Sequence, residues 1–154
     1  MNIDGPTGST SALTFSLEVV TLPVKDPDRS RDFYAAALDF ALDVDYGPTP
    51  TFRVVQMTAP GSATSIQFGT GLTDAAAGSA RGLYLVVSDL DATHRELTRR
   101  GVSVGPLRHK EPLATWAGGF APGLHPERAD YASFADFHDP DGNSWVIQER
   151  GHHS

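Results

Sequence analysis

The chain contains no cysteine, so neither a disulfide framework nor thiolate chemistry is open to it. It has no run approaching the roughly 18 apolar residues of a membrane span. Cations are scarce: 12 Lys and Arg stand against 19 Asp and Glu, for a formal charge of −7. They are also scattered, whereas nucleic-acid binding depends on clustered Lys and Arg that neutralise phosphates. Met1 to Thr14 lacks the basic start and apolar core of a signal peptide. That stretch is rich in Gly, Ser and Thr and reads as a flexible tail, as do residues 151–154. A cytoplasmic protein with neither a nucleic-acid nor a membrane partner is expected. The 154 residues are 40% apolar and 20% charged, which fits one globular domain over 15–150.

What is present is a repeat. Leu22-Pro23-Val24-Lys25-Asp26-Pro27-Asp28 has a partner in Leu85-Val86-Val87-Ser88-Asp89-Leu90-Asp91. Each is an apolar strand running into an Asp that is well suited to cap a helix. After Asp26, Pro27 fits the first helical position, and the pairs Phe33, Ala37 and Tyr34, Leu38 fall at i, i+4. After Asp89, Leu90, Thr93 and Leu97 recur at i, i+3, i+7, and Gly101 is a stop signal. Strand patterns follow each helix. The first copy has Leu42 to Tyr46, Thr51 to Thr58 and Thr64 to Phe68; the second has Val102 to Val104, Tyr131 to Phe137 and Ser144 to Gln148.

The expected class is therefore α+β. Two tandem βαβββ modules, about 15–72 and 80–150, are predicted to form one curved, mainly antiparallel eight-stranded sheet around a cup, with the helices outside. The stretch 108–130 has no counterpart in the first copy. It holds Trp116, Phe120, His109 and His125. A long insertion of this kind serves as a lid over a pocket, as a dimer contact, or as a loop anchored to the core.

The strings Leu22-Pro23-Val24-Lys25-Asp26 with Ser30-Arg31-Asp32-Phe33-Tyr34, and Phe137-His138-Asp139-Pro140-Asp141-Gly142-Asn143, resemble the two signatures of the vicinal oxygen chelate superfamily. That superfamily includes glyoxalase I, extradiol dioxygenases, fosfomycin-modifying enzymes and bleomycin-resistance proteins. The chain is also similar to many short actinobacterial "glyoxalase family" proteins, a label that reflects fold rather than activity. The resemblance implies a metal held in the cup by four side chains, two from each module. Residue by residue, these positions fall on Val19, Gln67, Gly82 and Val146. Val and Gly carry no donor atom and Gln only a neutral amide, whereas Zn²⁺, Ni²⁺ and Fe²⁺ take imidazole or carboxylate. Neither a metal nor any other cofactor is expected. Glu149 lies an odd number of residues beyond Val146, on the opposite strand face, while Gln148 shares the face of Val146.

The expected ligand is a small, partly apolar organic molecule in the cup, lined by Val19, Gln67, Gly82, Val146 and Gln148 and roofed by Trp116 and Phe120. Tyr131 and Ser133 are candidate hydroxyl donors, and Arg53 is a candidate anion anchor. His109 and His125 are candidate acid–base groups if they reach over the cup. His94 is read as solvated, and His138 as bonded to its own turn. Two readings stay open. One is a sequestering protein of the bleomycin-resistance type. The other is an enzyme, either metal-free or a metal-dependent lyase, isomerase or dioxygenase with displaced ligands. A homodimer is expected, because a sheet curled round an open cup leaves bare edges.

Overall fold

The computed structural model describes residues 11–153. Among them, the first module runs β1 (Val19–Thr21), α1 (Pro27–Leu38), β2 (Ala41–Thr49), β3 (Phe52–Thr58) and β4 (Ser65–Thr70). The second runs β5 (Leu83–Val87), α2 (Leu90–Arg99), β6 (Arg108–Lys110), β7 (Phe120–Pro122), β8 (Ser133–His138) and β9 (Ser144–Glu149). Both helices start as the sequence requires. Asp26 accepts from the amides of Asp28 and Arg29, and Asp89 from that of Ala92. No helix of the described chain is long and apolar enough to cross a membrane.

The strands form two mixed sheets, not the single eight-stranded sheet expected. One has four strands in the order β1-β4-β3-β2; the other has five, β5-β9-β8-β6-β7. β1 pairs in parallel with β4 and β5 with β9, and every other pairing is antiparallel. The fifth strand of the second sheet comes from the insertion, where β6 and β7 form a hairpin on the sheet's edge. Val102 to Val104 is not a strand; Val102 is buried as part of the core.

The two sheets stay separate because they meet through their helix-covered faces rather than through their edges. Tyr34 of α1 is fully buried, with Phe68 of the first sheet 5.8 Å away and Trp145 of the second at 6.0 Å. Phe33 packs on Phe137 and Phe40 on Trp145, while Phe137 and Trp145 stack. Each sheet thus buries one face in a common core, Val55, Met57, Ile66 and Phe68 against Ala135, Phe137, Trp145 and Ile147. α1 is wedged at this junction instead of lying outside a cup. The other face of each sheet is left uncovered.

Candidate functional site

The Asp-Pro-Asp-Gly-Asn turn is the fastening between the modules. Asp139 is buried, and one oxygen accepts the amides of Asp141, Gly142 and Asn143. Its other oxygen accepts the Tyr34 hydroxyl at 2.9 Å and the Asn143 side-chain amide at 2.8 Å. Asn143 donates onward to the Pro23 carbonyl and accepts from the Ala80 amide. Trp145 donates its indole N–H to the Tyr34 oxygen. Burial, with the Asp139 charge beside it, holds the Tyr34 hydroxyl protonated, its pKa pushed well above the ordinary phenolic value. Asp141 completes the fastening by accepting from the Lys25 amide and the Ser30 hydroxyl. The two signature strings are therefore parts of one structural network.

The uncovered face of the second sheet carries the richest chemistry. Strand parity and register place Val146 and Gln148 of β9, Phe134, Asp136 and His138 of β8, and Arg108 and Lys110 of β6 on this face. Tyr84 of β5 stands opposite Val146. Gly82 and Val146 line a cavity of about 320 Å³ with Arg81, Asp136, His138 and Ser144. Gly82 has a left-handed backbone, φ 75°, and open space where a Cβ would stand. It therefore serves the backbone as well as leaving room. Beside the cavity the hairpin builds an aromatic wall. Phe120 meets Phe134 at 5.7 Å and Trp116 meets Phe120 at 5.6 Å. Lys110 lies 4.5 Å from the Trp116 ring, and Arg108 lies 4.8 Å from the Phe120 ring while pairing with Asp136 at 2.7 Å. Trp116 and Phe120 remain 39% and 46% exposed, enough for a ligand to stack on them.

Val19 and Gln67 lie on the first sheet. Gln67 donates to the Thr21 hydroxyl, which commits its amide to a neighbouring strand. Neither residue lines the cavity at Gly82, so the four equivalent positions are split between two sheets. The remaining candidates turn away from the uncovered face. His109 pairs with Ser133 across β6 and β8 and is buried, its Nδ1 2.9 Å from the Gly123 carbonyl. His125 is buried 5.9 Å from it, ring to ring, and its Nδ1 accepts from the amides of Glu127 and Ala129. These histidines hold the insertion to the body; they do not reach over a cup. Ser133 is fully buried and accepts the His125 amide. Tyr131 precedes β8 in a left-handed turn, φ 61°, so it does not share a strand face with Ser133. Arg53 pairs with Asp45 and Asp28 on the helix side. His94 is not free in solvent but binds the Gly105 carbonyl.

The four positions do not fit a metal. Three of them, Val19, Gly82 and Val146, have no donor atom at all, and the only polar one, Gln67, is engaged with Thr21. Among the described residues one group has metal-ligating atoms within 4.8 Å of one another: Asp89, Glu149 and His152. Arg128 already spans its carboxylates, 2.5 Å from Glu149 and 3.3 Å from Asp89. Burial would raise the Glu149 pKa, but the Arg128 hydrogen bonds and the Leu90 amide outweigh it and hold the carboxyl below its usual value. The group is a clamp between β9, α2 and the insertion, with a guanidinium in the place of a cation.

Residues that sequence reasoning missed are Tyr84, Arg108, Lys110, Phe134 and Asp136. The period-two alternation of β8, with Phe134, Asp136 and His138 on one face, was the available signal.

Residues 16–147 match the model of the Glyoxalase/Bleomycin resistance protein/Dioxygenase superfamily. Among solved structures, the chain is similar to TnmS3, an antibiotic binding protein from Streptomyces sp. CB03234, at 28% identity. That match covers 91% of this chain and 98% of the other, with a TM-score of 0.68. A glyoxalase/bleomycin resistance protein from the same Streptomyces is 29% identical over 86% of this chain and 99% of the other, TM-score 0.63. A superfamily member from Sphaerobacter thermophilus DSM 20745 is 26% identical over 89% and 98%, TM-score 0.66. No curated protein sequence matches the chain.

Proposed function

Because the chain belongs to the Glyoxalase/Bleomycin resistance protein/Dioxygenase superfamily, and because Val19, Gln67, Gly82 and Val146 cannot hold a metal, we propose that it binds a small, partly apolar organic molecule without one. The observation that carries this reading is the uncovered face of the five-stranded sheet. There an aromatic wall of Trp116 and Phe120 stands beside the cavity at Gly82 and Val146, and Lys110, His138 and the side-chain carbonyl of Gln148, whose NH₂ donates to Tyr131, supply a few polar groups. Apolar walls with a small number of orienting polar groups are the usual make-up of a small-molecule site. An antibiotic-binding relative among the similar structures supports the same reading. The burial of His109, His125 and Ser133 takes these three candidate groups away from the uncovered face, which supports sequestration over turnover by them.

The test is fluorescence titration of the chelator-treated protein with a panel of aromatic antibiotics and smaller aromatic compounds. Trp116 is exposed and Trp145 buried, so a ligand on the wall quenches the Trp116 emission. Binding is expected to survive chelation, and Trp116→Ala or Val146→Trp is expected to weaken it by about 1–3 kcal/mol. A ligand that needs added metal, or one whose affinity is the same in both variants, would refute the site.

A further inference from the structure

Acidic residues outnumber basic ones in this chain, 19 to 12, so a cation ordinarily finds a carboxylate close by. Among the described residues eight arginines do so. Lys110 makes no ion pair and no side-chain hydrogen bond with any of them. Its ammonium lies 4.5 Å from the centre of the Trp116 ring and 5.6 Å from that of Phe134. The carboxylates placed to serve it are turned elsewhere. Asp136, on the same sheet face, pairs with Arg108 at 2.7 Å, and Glu111, next in the chain, stands 3.7 Å from Nε2 of His109.

The surroundings raise the worth of this unpaired charge. Lys110 is half-buried, and the rings keep part of its water away. A cation–π contact repays some of that loss but leaves the N–H donors without an acceptor. At the other end of the face, Arg81 lines the cavity at Gly82. Its guanidinium donates to the backbone carbonyls of Gly78 and Ala80 rather than to a carboxylate. Arg81, Arg108 and Lys110 thus stand against the single charge of Asp136. The uncovered face is positive on a chain whose formal charge is −7.

On the reading that this face is the ligand site, we propose that its ligand is an aromatic acid, with its ring laid on Trp116 and Phe120 and its carboxylate on Lys110. The lysine ammonium is a point charge on a flexible stem with three rotatable donors. It can turn from the Trp116 ring to an acid group at the edge of a ring stacked beside it. One unpaired ammonium balances one carboxylate. A phosphate calls for further donors, in a guanidinium fork or a nest of backbone amides, and the neighbouring guanidinium of Arg108 already pairs with Asp136. A cationic ring would meet Lys110 and Arg81 and find no free carboxylate on the face.

Three naphthalenes that differ only in the charge of one substituent make the test: naphthoate, naphthamide and naphthylmethylamine. Each is titrated at neutral pH, by calorimetry, into the unmodified chain, Lys110→Met and Lys110→Arg. The unmodified chain is expected to bind naphthoate at least about tenfold more tightly than naphthamide, as a charged hydrogen bond at a half-buried cation allows, and the amine most weakly. Lys110→Met keeps an apolar stem against the rings and removes the charge, so it is expected to bind acid and amide alike. Lys110→Arg is expected to restore the preference. Naphthamide binding the unmodified chain as tightly as naphthoate, or the amine binding best, would overturn the preference for an acid and leave the site standing. A preference that survives in Lys110→Met would overturn the role of Lys110. Binding of none of the three at millimolar concentration would overturn both the preference and the site.

Discussion

Asp139→Ala is expected to cost about 4 kcal/mol of folding stability, more than any apolar contact at the same place would explain. The carboxylate accepts five hydrogen bonds, from the Tyr34 hydroxyl, the Asn143 side-chain amide and three turn amides. Three of those donors, the Tyr34 hydroxyl and the two nitrogens of Asn143, belong to residues with no exposed surface. Leaving each unpaired costs roughly 1–3 kcal/mol. Some of that total returns, because a desolvated charge is removed and the outer turn amides gain water. The remainder falls within the roughly 3–5 kcal/mol found when one partner of a buried charged group is deleted. Asp139→Asn should cost about half as much, since its carbonyl still serves the turn while its NH₂ opposes the NH₂ of Asn143. Urea unfolding followed by the emission of buried Trp145 measures both, with an unchanged m-value expected. A double-mutant cycle with Tyr34→Phe should return a coupling of at least about 0.5 kcal/mol. A loss under about 1.5 kcal/mol for Asp139→Ala, or no coupling to Tyr34, would show that the turn is not what fastens the modules.

Glu149→Gln tests the clamp through its pH dependence. The folded carboxyl sits below its unfolded value, so its contribution is fully present above about pH 5 and fades as pH falls through the folded pKa. The variant should be less stable by about 2 kcal/mol at neutral pH, and the gap should narrow as pH falls below the ordinary Glu value and vanish once the folded carboxyl is protonated; a gap independent of pH would contradict the assignment. Gly78→Ala and Gly82→Ala form a contrasting pair, since both glycines have positive φ. A Cβ on Gly78 would stand 1.9 Å from the Asp141 carbonyl oxygen, whereas one on Gly82 meets nothing within 4 Å. Thermal melts should show a loss of about 1–2 kcal/mol for Gly82→Ala, from backbone strain alone, and a loss beyond about 4 kcal/mol or failure to fold for Gly78→Ala. Similar losses in the two would refute the close approach of Gly78 to the signature turn.

The sequence discloses local structure well and the meeting of the modules poorly. Asp26 and Asp89 cap their helices as their type and position dictate, and the alternation of Thr51 to Thr58 and of Ser144 to Gln148 marks real strands. These signals are short-range, carried by capping chemistry and by the two-residue period of a strand. The joining of the two halves is not short-range. Nothing in the pattern of Tyr34 says that its hydroxyl will find Asp139, so a back-to-back packing through α1 reads the same as a shared sheet. The site suffered from the same limit. Strand parity is enough to put Val146 and Gln148 on one face, but it does not disclose that His109 and His125 are buried. A histidine in an insertion looks equally like a reaching base and like an anchor until its register partner, here Ser133, is known.

The fastening of Tyr34 by Asp139 also orders the birth of the molecule. Every strand of the first sheet has left the ribosome once Thr70 has emerged, yet the acceptor for its central tyrosine and the indole ring beside it lie at Asp139 and Trp145. At roughly 5–20 residues per second, the nascent half-molecule waits several seconds with the side of α1 that meets Phe137 and Trp145 bare. That interval is when a holdase or a neighbouring nascent chain has something to grip. A message cut short just ahead of Asp139 loses β9, which joins β5 to the rest of the second sheet, and with it the closure over Tyr34.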